Sequence, residues 1–257
     1  MATQSIQATS KNKFARVAAF VYGVLCYAIF FVTFLYAIGF VGNFVVPKSI
    51  DSAPIIPLSQ ALLVNVGLLG LFGLQHSAMA RPGFKEWWTT IVPKQVERST
   101  YVLFSSLCLI TLFYFWQPLG ITIWTVENPI FRNLLYAFFG FGWLVVLVST
   151  FLINHFDLFG LRQVYLYLRG KDYTPLKFVT PGPYQYVRHP LYVGWFFAFW
   201  STPTMTVAHL VFAVITTVYI LVAIQLEERD LIKIHGKAYR EYRDRVPMLI
   251  PFSRRKV

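Results

Sequence analysis

Two stretches of this chain, VRHPLYVG at 187–194 and QLEERD at 225–230, gather dense charge where apolar runs begin and end. Arg188 and His189 stand directly before Pro190, and Gln225, Glu227, Glu228, Arg229 and Asp230 close a long apolar segment. An arginine presents a planar fork that suits a carboxylate, and a glutamate accepts an ammonium. A zwitterionic ligand therefore finds Arg188 for its carboxylate and Glu227 or Glu228 for its ammonium. Tyr184, Tyr186, Tyr192 and Trp195 offer aromatic faces for a ring or a cationic sulfonium. The same charges can instead pair with each other and with lipid head groups, and residue types alone leave both readings open.

A second set of polar residues interrupts apolar sequence upstream. His76 closes one apolar run, and His155 and Asp157 follow another in NHFD, with Arg162 and Gln163 just beyond. Imidazoles and carboxylates in such places are candidate proton acceptors. Asn65 and His76 are about three helical turns apart and are expected on one face. Gly67, Gly70 and Gly73 predict the close approach of another helix. Bland readings stand beside these. His76 can be a hydrogen-bonded packing histidine, Asn154 or Asp157 can cap a helix, and Arg162 and Gln163 can face head groups. His209 and His235 receive no role.

The elements that must position these groups follow from composition. Of 257 residues, 56% are hydrophobic and only 13% charged, whereas a soluble domain carries about a quarter charged residues. A bilayer crossing needs about 20 apolar residues. Such runs lie within 17–47, at 58–80, from 99 to about 116, and at 133–153. The last apolar region, 191–226, is too long for one ordinary span and is broken by STPT at 201–204. It predicts a short arm over 190–201 and a fuller helix over about 206–228. The expected fold is all-α: a polytopic transmembrane helical bundle of about five to six membrane segments, including a C-terminal helical hairpin.

Every Lys and Arg except Lys48 and Arg132 falls on alternate connections or at the two ends. The positive-inside rule then predicts cytoplasmic N and C termini and an even number of crossings. Topology and anionic head groups thus account for the net charge of +12, and no nucleic acid partner is needed. Cys26 and Cys108 lie inside predicted spans and form no metal motif, so no metal site is expected. The first span is too long for a signal-peptide core and predicts a retained anchor. One integral membrane domain over 1–257 is expected, with a cytoplasmic tail at 1–16 and a ligand-binding C-terminal region at 180–251.

PGPYQYVRHPLYVGW followed by EERDLIKIHGKAYREYRDRVPMLIP resembles the C-terminal signature of isoprenylcysteine carboxyl methyltransferases and related phospholipid methyltransferases. The resemblance implies S-adenosylmethionine bound without a soluble Rossmann domain, and no G-x-G-x-x-G follows a strand here. It implies that Tyr184, Arg188, His189, Tyr192 and Gly194 line the donor pocket, with Gln225, Glu227 and Glu228 opposite and the glutamates on the ammonium. Gly236, Tyr239 and Tyr242 would shape a closing tail. Upstream, LFGLQHSAMARPGFKEWW and ERSTYVLFSSL resemble nurim-type membrane proteins. With INHFDLFGLRQVYLYLRG added, nearly the whole chain is most similar to the bacterial methanethiol S-methyltransferase family.

That likeness implies methylation of a small thiol, giving dimethyl sulfide, by a multi-pass protein of the bacterial inner membrane. His76, His155 and Asp157 are then the expected proton acceptors, with Arg162 and Gln163 completing the polar cluster. Two other classes stay open: a methyltransferase for a prenylcysteine or phospholipid acceptor, and a non-catalytic or redox protein using His76 and His155 as haem ligands.

Overall fold

The structure, a computed structural model, describes residues 2–53 and 56–253, with side chains described from residue 13 onward. Ten α-helices dominate the described residues. In order they are α1 (Ala2–Gly42), α2 (Leu58–Ala80), α3 (Pro82–Trp88), α4 (Lys94–Phe115), α5 (Pro129–Ile153), α6 (His155–Leu158), α7 (Leu161–Leu168), α8 (Pro190–Trp200), α9 (Val207–His235) and α10 (Lys237–Arg245). Five of them contain stretches long and apolar enough to cross a bilayer: Lys13–Gly42, Leu58–Ala80, Lys94–Phe115, Pro129–Ile153 and Val207–His235. The protein is therefore a polytopic helical membrane protein, as its apolar runs predict. α8 has 11 residues and rises only about 16 Å, half a bilayer core. It is the short arm expected before α9.

Four elements were not legible in the sequence. α3 falls in the polar connection after α2, where Pro82 sits at the first helical position and needs no hydrogen-bonded N–H. α10 extends the helical tail past Gly236, whose φ of +57° turns the chain between α9 and α10 and suits a residue without Cβ. β1 (Thr122–Thr125) pairs antiparallel with β2 (Thr204–Thr206) through Thr122–Thr206 and Thr125–Thr204. The broken segment around Pro203 is thus ordered by a small ladder.

The chain forms two compact units. One comprises the chain up to Leu35, Leu71–Thr111 and Asn154–Leu176; the other comprises Tyr36–Gly70, Leu112–Ile153 and the chain from Lys177. In the first unit, Met79, Tyr101 and Val102 form a core with Phe30, Phe84, Trp88 and Phe159 packed on it. In the second, Trp116 is wholly buried, edge-on to Phe40 and Phe212, and its indole N–H donates to the Ile50 carbonyl at 3.1 Å.

Within the second unit α5 and α8 meet backbone to backbone. A Cβ on Gly194 would lie 2.8 Å from the Gly142 carbonyl oxygen and 2.8 Å from the Val146 nitrogen, so neither helix could carry a side chain there without moving. The expectation that Gly67 and Gly70 admit a neighbouring helix is not met: a Cβ at either would meet nothing within 4 Å. Asn65, fully buried, instead ties α2 to the end of α4. Its amide donates to the Gln117 carbonyl at 2.7 Å, and its oxygen accepts the Gln117 N–H at 2.8 Å.

Candidate functional site

The C-terminal motifs converge in the second unit because α9 carries charge on its buried stripe. Ile220, Ile224 and Glu228 recur every four residues and are all buried. Glu228 therefore occupies a core position, while Glu227, one residue earlier, turns outward and stays 45% exposed. An ionised carboxylate at a core position must be paired and hydrogen-bonded. Arg188 supplies the pair, its Nε donating to Glu228 Oε1 at 2.7 Å, with the two side chains 3% and 9% exposed. His189 Nε2 lies 3.0 Å from the same oxygen.

Because that oxygen belongs to a carboxylate, which only accepts, His189 donates to it from Nε2. Nδ1 is 4.0 Å from Glu227 Oε2, and Tyr192 donates its hydroxyl to that Glu227 oxygen at 3.0 Å. Gln225 is exposed on the same turn, its amide 3.9 Å from the Met248 sulfur.

The tail closes over this cluster. Arg188 Nη1 donates to the backbone carbonyls of Arg243, at 3.0 Å, and Val246. The backbone N–H groups of Arg188 and His189 donate to Pro247 and Met248 at 2.9 and 3.2 Å. Tyr239, Tyr242 and Val246 form the apolar face of the tail against Phe178, Leu231 and Ile232. Tyr242 donates to the Tyr184 carbonyl at 2.6 Å, and burial pushes its phenol up to about 12. Tyr184 is buried too, and its hydroxyl lies towards Ser149 without closing a hydrogen bond. Trp195 packs edge-on to Trp143 and stacks on Phe199, and Gly194 faces α5.

Two consequences follow for a zwitterionic ligand. Glu227 is a half-exposed carboxylate, oriented by Tyr192 and open to an ammonium. Arg188 already gives Nε and Nη1 to the protein, so only Nη2 is left for a carboxylate. The sequence could not show the carbonyls of the tail as Arg188 partners, because they are backbone groups some 55 residues away.

The other expected site residues lie in the first unit. Asn154 caps α6 by accepting the Asp157 N–H at 3.1 Å. Asp157 accepts from Arg162 at 2.9 Å and from the Tyr173 hydroxyl at 3.2 Å, and its carbonyl accepts from Gln163 at 3.1 Å. Arg162 also donates to the carbonyl and hydroxyl of Thr174, both at 3.0 Å. Asp157, Arg162 and Gln163 are therefore brought together, with Tyr173 and Thr174 as members the sequence did not single out. Burial, with the Asp157 charge behind it, pushes the Tyr173 phenol up.

His155 turns elsewhere. Its Nε2 is 2.8 Å from the Tyr27 hydroxyl, inside a ring of Tyr27, Phe156 and Phe159, and burial holds its pKa below the usual 6.5. His76, between α2 and α4, stacks on Phe72 and meets the hydroxyls of Tyr101 at 3.0 Å and Ser105 at 3.2 Å.

Comparison with known proteins places the chain among membrane methyltransferases. Residues 135–238, which hold most of α5 and most of the C-terminal cluster, match the phospholipid methyltransferase family. A methanethiol S-methyltransferase of Crocosphaera subtropica is 62% identical over 98% of this chain and 99% of its own length. That of Mycobacterium tuberculosis is 52% identical over 93% of this chain and 98% of its own. Nurim of Xenopus laevis is 29% identical over 65% of this chain and 61% of its own. No solved structure matches.

Proposed function

The chain belongs to the methanethiol S-methyltransferase family, and from that membership we propose that it methylates methanethiol with S-adenosylmethionine, releasing dimethyl sulfide and S-adenosylhomocysteine. The observation that carries the reading is the half-exposed Glu227, held by Tyr192 beside the buried Arg188–Glu228–His189 cluster. That donor set fits a zwitterionic sulfonium. Glu227 takes the ammonium, and Arg188 Nη2 and the exposed amide of Gln225 are the donors left for the carboxylate. Tyr184 and Tyr192 supply aromatic faces, and Gly194 keeps α8 close to α5.

When bound, the donor supplies a methyl group activated by positive sulfur. The protein must align the thiol, exclude water and receive a proton. A bond forms between the thiol sulfur and the methyl carbon, the sulfonium carbon–sulfur bond breaks, and the thiol proton is lost. We assign that proton to His189 Nδ1, which lies in the same cluster 4.0 Å from Glu227 Oε2. Asp157, Arg162 and Gln163 we assign to holding the α6–α7 corner, since each already bonds within it. His76 and His155, each bonded to a tyrosine hydroxyl, we assign to packing. Both termini are proposed to face the cytoplasm of the bacterial inner membrane, a reading supported by the distribution of Lys and Arg.

The test is an acceptor panel. Purified protein with S-adenosylmethionine should release dimethyl sulfide from methanethiol, measured in the headspace, and should favour short alkyl thiols over alcohols and amines. Inertness towards short thiols, with methylation of a prenylcysteine peptide or of phosphatidylethanolamine, would overturn the assignment.

A further inference from the structure

The first unit carries a half-open cleft of about 610 Å³ that the proposed reaction does not use. Its lining carries four cations, Lys85, Lys94, Arg98 and Lys171, and three carboxylates, Glu97, Asp157 and Asp172, of which Asp157 is already paired with Arg162. Arg98 is partly committed, its Nε donating to the Leu158 carbonyl at 2.8 Å. Lys94 and Lys171 make no ion pair among the described residues.

The same lining holds two acceptors without donors. Glu97 Oε1 and Gln163 Oε1 are both shut off from solvent and without a hydrogen-bond partner. An acceptor in that position is destabilising unless something donates to it. Loose cations beside orphaned acceptors describe the complement of a ligand that carries an anion and, next to it, an ammonium or hydroxyl group.

Position narrows the ligand further. Lys94 opens α4, one of the apolar membrane-crossing helices, so the cleft lies at the border between water and lipid. Trp87 and Ile91, in the chain leading to Lys94, are 55% and 63% exposed. Exposed tryptophan and aliphatic side chains at that depth contact acyl chains and the head-group region.

We propose that this cleft seats a phospholipid head group: Lys94 and Lys171 hold its phosphate, and Glu97 and Gln163 accept from an ethanolamine ammonium or from glycerol hydroxyls. The phosphate with an adjacent donor is the recognised chemistry, and the acyl chains lie against Trp87 and Ile91. The lipid is a bound structural ligand. No bond to it is made or broken.

The experiment uses the full-length protein purified in mild detergent. Phospholipid retained per protein is measured by mass spectrometry for the unaltered chain and for the Lys94→Ala/Lys171→Ala double variant. A basic side chain near an anionic head group favours binding about fivefold, so removing both should lower retention about thirtyfold. Methanethiol methylation should stay near normal. Added phosphatidylethanolamine or phosphatidylglycerol should raise the thermal midpoint of the unaltered protein but not of the double variant, and inorganic phosphate or glycerophosphoethanolamine should raise neither.

Should the double variant fail to fold, Lys171→Gln alone, at an exposed position, carries the same comparison with an expected fivefold loss. Equal retention in variant and parent overturns the proposal. So does a midpoint shift by the soluble phosphates alone, which makes the site one for a free anion. A loss of S-adenosylmethionine affinity with lipid retention unchanged also overturns it, and assigns the cleft to the methyl donor.

Discussion

Replacing Glu228 by Gln separates the two glutamates of α9. The substitution keeps the shape and leaves an oxygen for Arg188 Nε and His189 Nε2, removing only the charge. A hydrogen bond to a charged group contributes about 1.5–3 kcal/mol and a neutral one about 0.5–1.5, so the two bonds together lose about 2 kcal/mol. The Arg188 side chain, 3% exposed, also loses its counter-charge. Removing one partner of a buried pair outright costs about 3–5 kcal/mol. The isosteric change, with the Arg243 and Val246 carbonyls still in place, should therefore cost about 2–4 kcal/mol.

The amides of Arg188 and His189, which donate to Pro247 and Met248, report on that clamp directly. Hydrogen exchange followed by mass spectrometry should show them opening roughly 30- to 900-fold more readily in Glu228→Gln. Glu227→Gln should behave oppositely. Its side chain is 45% exposed and accepts from Tyr192, so stability should change by under about 0.5 kcal/mol. Binding of S-adenosylmethionine should fall roughly 10- to 150-fold, the value of one charge-assisted contact. Unchanged exchange at Arg188 and His189 in Glu228→Gln, or undiminished calorimetric affinity in Glu227→Gln, would refute the division of labour drawn from the structure.

Gly194→Ala should destabilise the protein by about 1–3 kcal/mol, because its Cβ meets the backbone of α5, whereas Gly67→Ala should be neutral or stabilising; thermal midpoints in detergent decide between them. The buried His155 resists protonation, so the unfolded chain takes up the proton first as pH falls. The contribution is complete above pH 6.5 and is lost as pH falls from there towards the depressed folded value; a midpoint measured between pH 7.5 and 5 should decline less steeply in His155→Asn. If His189 receives the thiol proton, His189→Asn should lower turnover at neutral pH roughly 10²- to 10⁴-fold and recover part of it at high pH, where free thiolate is abundant; His76→Ala and His155→Ala should stay within about tenfold of the parent. A cysteine placed at Lys48, after the two native cysteines are replaced, should be labelled by an impermeant reagent from outside the inner membrane, and labelling only after lysis would reverse the proposed orientation.

Sequence alone determined the membrane class and the positions of the spans, because the need to bury about 20 consecutive apolar residues in lipid is local information. It also marked the broken C-terminal segment, since Pro203 disfavours one continuous helix through STPT. The motif residues Arg188, His189, Glu227 and Glu228 were visible as types. Only the tertiary structure decided their roles: the helical phase of α9 buries Glu228 and exposes Glu227, and the returning tail takes Arg188 Nη1. The β1–β2 ladder, the α5–α8 contact at Gly142 and Gly194, and the turn of His155 away from Asp157 towards Tyr27 were equally invisible. Each depends on which distant backbone or ring arrives beside the residue, and a hydrophobic run carries no record of its neighbour.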